Sequence, residues 1–248
     1  VFREHGLRLS WREFAQAVDR LATGLLGLGV GRGDRVGIWS PNRPEWVLTQ
    51  FATARIGAIL VNVNPAYRLA ELEYALRHVS VRVLITADRF KTSDYVGMLC
   101  ELLPPPPADG AIAAANLPDL RAVVAMGAAV PGMLRFDDVA ATPADTARLD
   151  RLTAVLDPGD PINIQFTSGT TGLPKGATLS HRNIVNNANF VTARMGFTDR
   201  DRLCIPVPLY HCFGMVMGVL GCVTKGATMI FPGEGFDPDV TLECVAEE

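Results

Sequence analysis

The sequence lacks the cysteine patterns that mark disulfide scaffolds and zinc sites. No CxxC pair occurs among its five cysteines, which are Cys100, Cys204, Cys212, Cys222 and Cys244. An odd number of cysteines without such a pair is typical of a reducing compartment, so we expect ordinary buried thiols. Cys204, His211, Cys212 and Cys222 match no common zinc spacing, and we predict no metal site.

Clusters of lysine and arginine are also missing. With a formal net charge of −3 and no basic track, the chain gives no sign of a nucleic-acid partner. Residues 203–224 contain no charged side chain, but Pro206, Pro208 and Tyr210 interrupt this stretch. We therefore predict a short strand, a turn and a core helix there, and no transmembrane segment.

The first residues show no targeting pattern. The sequence begins Val1-Phe2-Arg3-Glu4, without an initiator methionine, a signal peptide or an Arg/Ser-rich transit peptide. We expect a chain whose N-terminus has been cut, so that any targeting segment is missing.

What the sequence does contain is an alternation of apolar strands and amphipathic helices. The chain has 248 residues, 48% of them hydrophobic, which is enough for a substantial core. Alternating strands and helices predict an α/β fold with mostly parallel sheets covered by helices. The predicted helices are 14–28, 45–56, 70–79, 181–194 and about 213–223, and the first of them is capped by Ser10 with Glu13. The predicted strands are 36–39, 58–63, 82–86, 121–126, 162–166, 203–208 and 228–231.

Two segments are predicted to lie outside this regular structure. Residues 103–118, with four consecutive prolines, are predicted to form a surface connection, and 127–160 to be mostly irregular.

The segment 167–176 carries the most chemical information. It reads Thr-Ser-Gly-Thr-Thr-Gly-Leu-Pro-Lys-Gly and follows the apolar strand predicted at 162–166. Glycines let a backbone approach a ligand closely, hydroxyls add hydrogen-bond donors, and a lysine supplies positive charge. This combination predicts a loop that binds a polyphosphate.

Two familiar nucleotide motifs do not describe this chain. Gly169 and Gly172 are three residues apart and Pro174 precedes Lys175, so the loop is not the Gly-x4-Gly-Lys-[Ser/Thr] sequence of P-loop NTPases. Residues 29–33 contain three glycines at alternate positions, which do not satisfy GxGxxG and are better explained as a helix end and a turn.

The segment 167–176 resembles the phosphate-binding signature of the adenylate-forming superfamily, which includes acyl-CoA synthetases and peptide-synthetase adenylation domains. A second block, 208–214, reads Pro-Leu-Tyr-His-Cys-Phe-Gly and is similar to the superfamily's next motif. Residues 33–36, 41–42 and 63–65 also match its N-terminal part. Within the superfamily, residues 160–166 and 178–187 are most similar to medium-chain acyl-CoA synthetases. The likeness covers nearly the whole chain and is weakest at about 104–160.

The resemblance implies a fold, a reaction and a set of site residues. The chain would be the N-terminal part of the adenylate-forming fold, and its reaction would couple a fatty acid to CoA through an acyl-adenylate made from ATP. Lys175 and His211 would be the catalytic residues. The ATP loop would comprise Thr167, Ser168, Gly169, Thr170, Thr171, Gly172, Leu173, Pro174 and Lys175, and the acyl pocket would include Tyr210, His211, Phe213, Gly214 and Met215.

Other parts of the superfamily pattern are not found in these 248 residues. There is no Tyr-Gly-x-Thr-Glu, no Thr-Gly-Asp and no C-terminal lid domain with its adenylation lysine, and a complete member is about twice as long. Mg²⁺ and CoA would therefore bind mainly through segments outside this chain, and we expect the chain alone to be inactive. A mitochondrial matrix location is implied by the resemblance alone.

The sequence leaves two alternative functions open and disfavours a third. The chain could be a non-catalytic nucleotide-binding fragment, or part of an adenylate-forming ligase that acts on another carboxylate. A hydrolase using Ser168 is disfavoured because Thr-Ser-Gly-Thr-Thr is not a Gly-x-Ser-x-Gly nucleophile elbow. Tyr210 and His211 could also be core residues, since an aromatic–histidine pair after a strand often packs inside a protein.

Overall fold

The structure is a computed structural model and describes residues 1–104, 112, 114–167 and 174–248. Its strands are β1 Arg35–Trp39, β2 Ile59–Asn62, β3 Val81–Thr86, β4 Arg89–Phe90, β5 Ser93–Asp94, β6 Ala122–Ala125, β7 Leu134–Arg135, β8 Pro161–Thr167, β9 Lys175–Ser180, β10 Arg202–Cys204 and β11 Thr228–Ile230. Its helices are α1 Trp11–Gly27, α2 Pro44–Arg55, α3 Leu69–His78, α4 Tyr95–Leu102, α5 Phe136–Ala140, α6 Thr146–Thr153, α7 His181–Arg194, a π-helix Phe213–Leu220, α8 Gly221–Lys225 and α9 Pro238–Glu247.

One large sheet organises most of the chain. Its strand order is β7-β6-β3-β1-β2-β8-β9, and every neighbouring pair is parallel except β8 with β9. β1 is the central strand, and its Val36, Ile38 and Trp39 are completely buried, as expected for a strand covered on both faces. A second, parallel pair joins β10 to β11. The sheet therefore has the mostly parallel, helix-flanked arrangement that the sequence predicts.

Most predicted elements are present, and the structure adds elements that were not predicted, among them α4, α9 and β9. Residues 127–160 are mostly irregular, as predicted, but they contain two short helices that buried apolar residues anchor: Phe136 and Val139 of α5 and Leu149 of α6. The strand predicted at 203–208 is also shorter. Ile205 still donates its N–H to the Ile230 oxygen at 2.7 Å, but prolines follow at 206 and 208 and cannot donate to a ladder.

The proline-rich segment 103–118 is described only in part, since 105–111 and 113 lie outside the described residues. At its C-terminal end, Ala114 and Leu117 are buried against the core. The apolar residues after the prolines thus attach this end of the segment to the domain.

Helix α7 begins at a capping box next to the glycine-rich segment. The Ser180 hydroxyl accepts the Asn183 N–H at 3.2 Å, and the Asn183 side chain accepts the Ser180 N–H at 2.9 Å. Two N–H groups at the helix start are thereby satisfied.

We expect Ser180→Ala to lower the free energy of unfolding by about 1 kcal/mol, because the N-cap acceptor is lost. Ser180→Asp is the matched control, since a carboxylate can accept the same N–H and is favourable at a helix N-terminus. Chemical denaturation followed by circular dichroism measures both. An alanine variant as stable as the aspartate variant would show that this cap contributes nothing.

Candidate functional site

The ends of the glycine-rich segment are held together by a β-hairpin. β8 and β9 pair antiparallel, and Thr167, the last residue of β8, is the strand partner of Lys175, the first residue of β9. Both residues are exposed. Ser168, Gly169, Thr170, Thr171, Gly172 and Leu173 lie outside the described residues. The structure therefore fixes the two ends of the predicted phosphate loop and brings Thr167 next to Lys175.

The hairpin was not predicted from the sequence, because β9 contains an internal glycine and has little apolar alternation. It is further connected to α3, since the Tyr74 hydroxyl donates to the Pro174 oxygen at 3.1 Å. Lys175 is thus an exposed residue at the start of an anchored strand, paired with Thr167.

The second motif follows β10 and is held by a side chain from another loop. The Asn42 amide nitrogen donates to the Val207 oxygen at 2.9 Å, and its amide oxygen accepts the Leu209 N–H at 2.8 Å. Asn42 is 3% exposed, so these bonds satisfy a buried amide. Asn42 lies in the loop that follows β1, and it fixes the backbone immediately before Tyr210 and His211.

His211 lies on the surface with a defined ring orientation. Its Nδ1 accepts the backbone N–H of Phe213 at 3.1 Å, and the Cys212 sulfur lies 3.7 Å from the same nitrogen. Because Nδ1 is the acceptor, a neutral His211 carries its proton on Nε2. That N–H can donate to an oxygen of a bound carboxylate. Tyr210 is half-buried beside it.

The π-helix that follows brings glycines against the preceding backbone. A Cβ added at Gly214 would lie 2.3 Å from the Pro208 oxygen, and one at Gly218 would lie 3.0 Å from Cγ2 of Ile205. These glycines permit close packing of the helix on the 205–208 segment. Phe213 is half-exposed, whereas Met215 is buried. π-Helical turns are wider than α-helical turns and often occur at functional sites.

A polar network links the two motifs through the sheet. The Met215 sulfur lies 3.1 Å from the side-chain amide nitrogens of both Asn62 and Gln165. The same nitrogen of Asn62 also donates to the backbone carbonyl oxygen of Tyr210 at 3.0 Å. Gln165 is two residues before Thr167. The π-helix is therefore fixed against the end of the strand that enters the phosphate loop.

Asn62 and Gln165 were not selected from the sequence as site residues. The signal that could have identified them is an amide within an otherwise apolar strand, because a buried amide requires partners. Their partners are distant in sequence, so the network itself could not be predicted.

A cavity of about 420 Å³ lies at the carboxyl ends of the central strands. It is lined by residues that follow β1, β2 and β3, including Asn42, Asn64 and Phe90, and by Tyr210. The chain passes from β1 to β2 on one side and returns to β3 on the other side of β1. Open α/β sheets bind ligands at such a reversal, outside the carboxyl ends of the strands.

The charges on this cavity are mixed. Arg68, Lys91 and Glu234 line it. Burial raises the pKa of Glu234, although the Arg43 guanidinium 3.4 Å away opposes that shift. The lining of the cavity thus carries two cationic groups and one carboxyl group.

The cysteines, the metal-ligating side chains and the helices bear on three further sequence predictions. All five thiols are free; Cys222 and Cys244 are buried as expected, Cys204 is half-buried, but Cys100 and Cys212 are exposed. In the described ranges, no three His, Cys, Asp or Glu residues are grouped so that they could hold a metal ion. Among the described helices, none combines the length and apolar character needed to cross a membrane.

Comparison with known proteins identifies the family. The family model for the AMP-binding enzyme matches residues 1–248, and the chain belongs to this family of adenylate-forming enzymes. It is 47% identical over 254 residues to the zebrafish (Danio rerio) protein named "Medium-chain acyl-CoA ligase ACSF2, mitochondrial", matching 100% of this chain and 42% of that protein. The chain thus spans about two fifths of the length of this curated relative. The resemblance stated from the motifs is confirmed.

Solved structures confirm the fold. The apo structure of MbtA from Mycobacterium smegmatis is similar with a TM-score of 0.83 and 29% identity, over 97% of this chain and 42% of that one. ATP-bound MatB from Rhodopseudomonas palustris is similar with a TM-score of 0.75 and 27% identity, over 96% and 42%. The chain therefore has the architecture of part of an adenylate-forming ligase, as predicted.

Proposed function

We propose that this chain carries the ATP-binding half of an acid–thiol ligase, which activates a medium-chain fatty acid as an acyl-adenylate and transfers the acyl group to CoA. The observation that carries the proposal is the placement of the two motifs. Thr167 and Lys175 close one of them, and Gln165 connects it to Met215, the residue that directly follows the other. A nucleotide bound at the loop and an acid bound at Tyr210 and His211 would lie side by side.

In the first step, a carboxylate oxygen of the acid attacks the α-phosphorus of ATP and pyrophosphate leaves. Phosphoryl chemistry of this kind depends mainly on positioning and charge stabilisation. The hydroxyls of Ser168, Thr170 and Thr171 would donate to the β- and γ-phosphate oxygens, and Lys175 would offset their negative charge. The Nε2–H of His211 would orient the acid, while Tyr210 and Phe213 would border its alkyl chain. In the second step, the CoA thiol attacks the acyl carbon and AMP leaves.

Mg²⁺ and CoA are proposed for the complete enzyme. The described residues offer no group of three or more metal-ligating side chains, so they do not account for Mg²⁺. A mitochondrial location is likewise proposed only from the name of the zebrafish relative.

The test of this function is acid-dependent exchange of pyrophosphate into ATP by a full-length enzyme that contains these 248 residues. Octanoate is the first acid to supply. Exchange with octanoate supports the proposal, and exchange only with an aromatic or short dicarboxylic acid would identify a ligase for a different carboxylate. No exchange with any acid, together with measurable ATP binding, would favour a non-catalytic nucleotide-binding protein.

We expect the isolated 248-residue chain to form no octanoyl-CoA. No residue found in it can take over all the roles that the superfamily assigns to a metal-binding carboxylate, a ribose contact and an adenylation lysine. The loop could still hold ATP in the millimolar range, about 4 kcal/mol of binding free energy. The measurement supplies ATP, Mg²⁺, CoA and octanoate to the purified chain and separates the products by chromatography. Octanoyl-CoA above the level of a Lys175→Ala control would contradict this expectation.

A further inference from the structure

Two thiols from different elements of the fold lie in contact. Cys204 is the last residue of β10 and Cys244 lies in α9. The Cys204 thiol donates to the Cys244 sulfur, with 3.7 Å between the two sulfur atoms. The two cysteines are 40 residues apart in sequence, so the fold brings them together and no local pattern does. Two adjacent thiols can form a disulfide, which a single buried thiol cannot.

Helix α9 is attached to the domain through the same contact. The structure describes all ten residues of α9, and among them Cys244 is the one buried side chain. Leu242 and Val245 are 69% and 64% exposed, so these apolar side chains do not hold the helix in place. Arg3 and Glu247 add an ion pair at the surface, and such pairs contribute little. An element with so few buried contacts can shift without disturbing the core.

The two thiols differ in their access to solvent. Cys204 is half-buried and Cys244 is completely buried, so a reagent meets Cys204 first. Burial and the hydrogen bond to Cys244 raise the pKa of Cys204 to about 12, although the Arg3 guanidinium opposes the shift. Because the thiolate is the nucleophile, such a thiol reacts slowly at neutral pH. The pair is therefore suited to a slow equilibrium with its surroundings and not to fast sensing.

We propose that Cys204 and Cys244 form a disulfide by exchange with a low-molecular-weight disulfide such as oxidised glutathione. The Cys204 thiolate attacks one sulfur of the reagent, whose S–S bond breaks and releases one thiol. The Cys244 thiolate then attacks the Cys204 sulfur and releases the second thiol. The two cysteine sulfurs give up two electrons, and their two protons pass to the released thiols. The sulfur atoms must approach by roughly 1.7 Å to bond at about 2 Å, which a shift of α9 can supply.

The proposed disulfide closes a loop that contains the second motif. Residues 204–244 include 208–214 and also Glu234, which lines the cavity of about 420 Å³. The new bond ties α9 to β10 and thereby restrains both ends of this segment. It also removes conformational freedom from the unfolded chain. The oxidised chain should therefore hold α9 more firmly than the reduced chain does.

The first experiment equilibrates the 248-residue chain with reduced and oxidised glutathione at about pH 9, where more thiolate is present. A parallel sample is equilibrated in concentrated urea. Trypsin cleaves after lysine and arginine, so the two cysteines fall in different peptides, 203–225 and 226–248. Mass spectrometry after blocking of free thiols measures how much of the two peptides is linked. We expect the ratio of linked to unlinked peptide to be at least about tenfold higher in the folded chain.

Variants then assign the link, because peptide 203–225 also contains Cys212 and Cys222. Cys204→Ala should abolish it. Cys222→Ala is the matched control, since burial raises the pKa of Cys222 to about 12 as well, but its sulfur contacts the Thr228 oxygen at 3.8 Å. Its link should stay within about twofold of that in the unmodified chain. Circular dichroism checks that each variant folds, and Cys212→Ser replaces Cys222→Ala if the latter does not.

Two results would overturn the proposal. One is an equal ratio of linked to unlinked peptide in the folded chain and in urea, and the other is a link that survives Cys204→Ala. None of these measurements uses ATP or an acid, so their outcome is independent of the proposed function.

Hydrogen exchange followed by mass spectrometry tests the consequence for α9. Amide exchange in peptides from α9 should slow by about tenfold or more on oxidation, because opening of the helix is then restrained. Exchange in α3, which lies outside the closed loop, should stay the same. Unchanged exchange in α9 of the oxidised chain would overturn the conclusion that the disulfide fixes this helix.

Discussion

Replacing Lys175 by alanine in the full-length enzyme is expected to lower kcat/KM for ATP by about ten- to a hundredfold. A charge-assisted contact to phosphate contributes roughly 1.5–3 kcal/mol, and this contribution is lost with the ammonium group. The fold should be unaffected, because Lys175 is exposed. The measurement is acid-dependent ATP–pyrophosphate exchange at several ATP concentrations.

Arg148→Ala is the control for this prediction, since it removes one exposed positive charge from α6, a helix that contacts α1 and α2. It should leave exchange within about twofold of the unmodified enzyme, because single surface charges are largely screened by salt. If the two variants behave alike, Lys175 does not contact the nucleotide.

Gly214→Ala is expected to be the most damaging small substitution in the second motif. The added Cβ would lie 2.3 Å from the Pro208 oxygen and 2.7 Å from the Pro208 carbonyl carbon. These are backbone atoms and cannot rotate away, so the π-helix must shift from the segment that carries Tyr210 and His211. Overpacking of this kind costs about 1–3 kcal/mol, and each kcal/mol lowers Tm by about 2–4 °C in a protein of this size.

Gly27→Ala provides the comparison for Gly214→Ala. Gly27 ends α1, and a Cβ there meets nothing within 4 Å. Thermal unfolding followed by circular dichroism should place Gly27→Ala close to the unmodified protein and Gly214→Ala several degrees lower. Equal Tm values would mean that the helix adjusts freely and that its close packing does not position the motif.

The elements of the large sheet could be predicted because their signals are local. The capping box of Ser10 with Glu13 and the apolar runs at β1, β2 and β3 each identify an element from a few consecutive residues. The apolar residues of α5 and α6 are also a local signal, but the glycines, prolines and charged residues around them hide the helical pattern. Each helix is short, and its stability depends on packing against α1.

The candidate site was predictable in its residue types and not in its arrangement. The segment 167–176 and the Tyr210–His211 pair can be identified as sequence motifs. The strand pairing of Thr167 with Lys175, in contrast, is a property of the folded sheet. Asn42, Asn62 and Gln165 act through partners that are more than 45 residues away in sequence. No local pattern encodes such contacts, since they exist only when the strands are side by side.

Because β8 and β9 are antiparallel neighbours on either side of the phosphate loop, a backbone cut within 168–173 would leave two pieces that share a strand interface. Six Cα pairs, from Pro161 with Ser180 to Thr167 with Lys175, would remain available to rejoin them. A ligand that binds only the rejoined form would favour reassembly by mass action. The hairpin therefore makes this chain a candidate for a split reporter whose complementation responds to nucleotide.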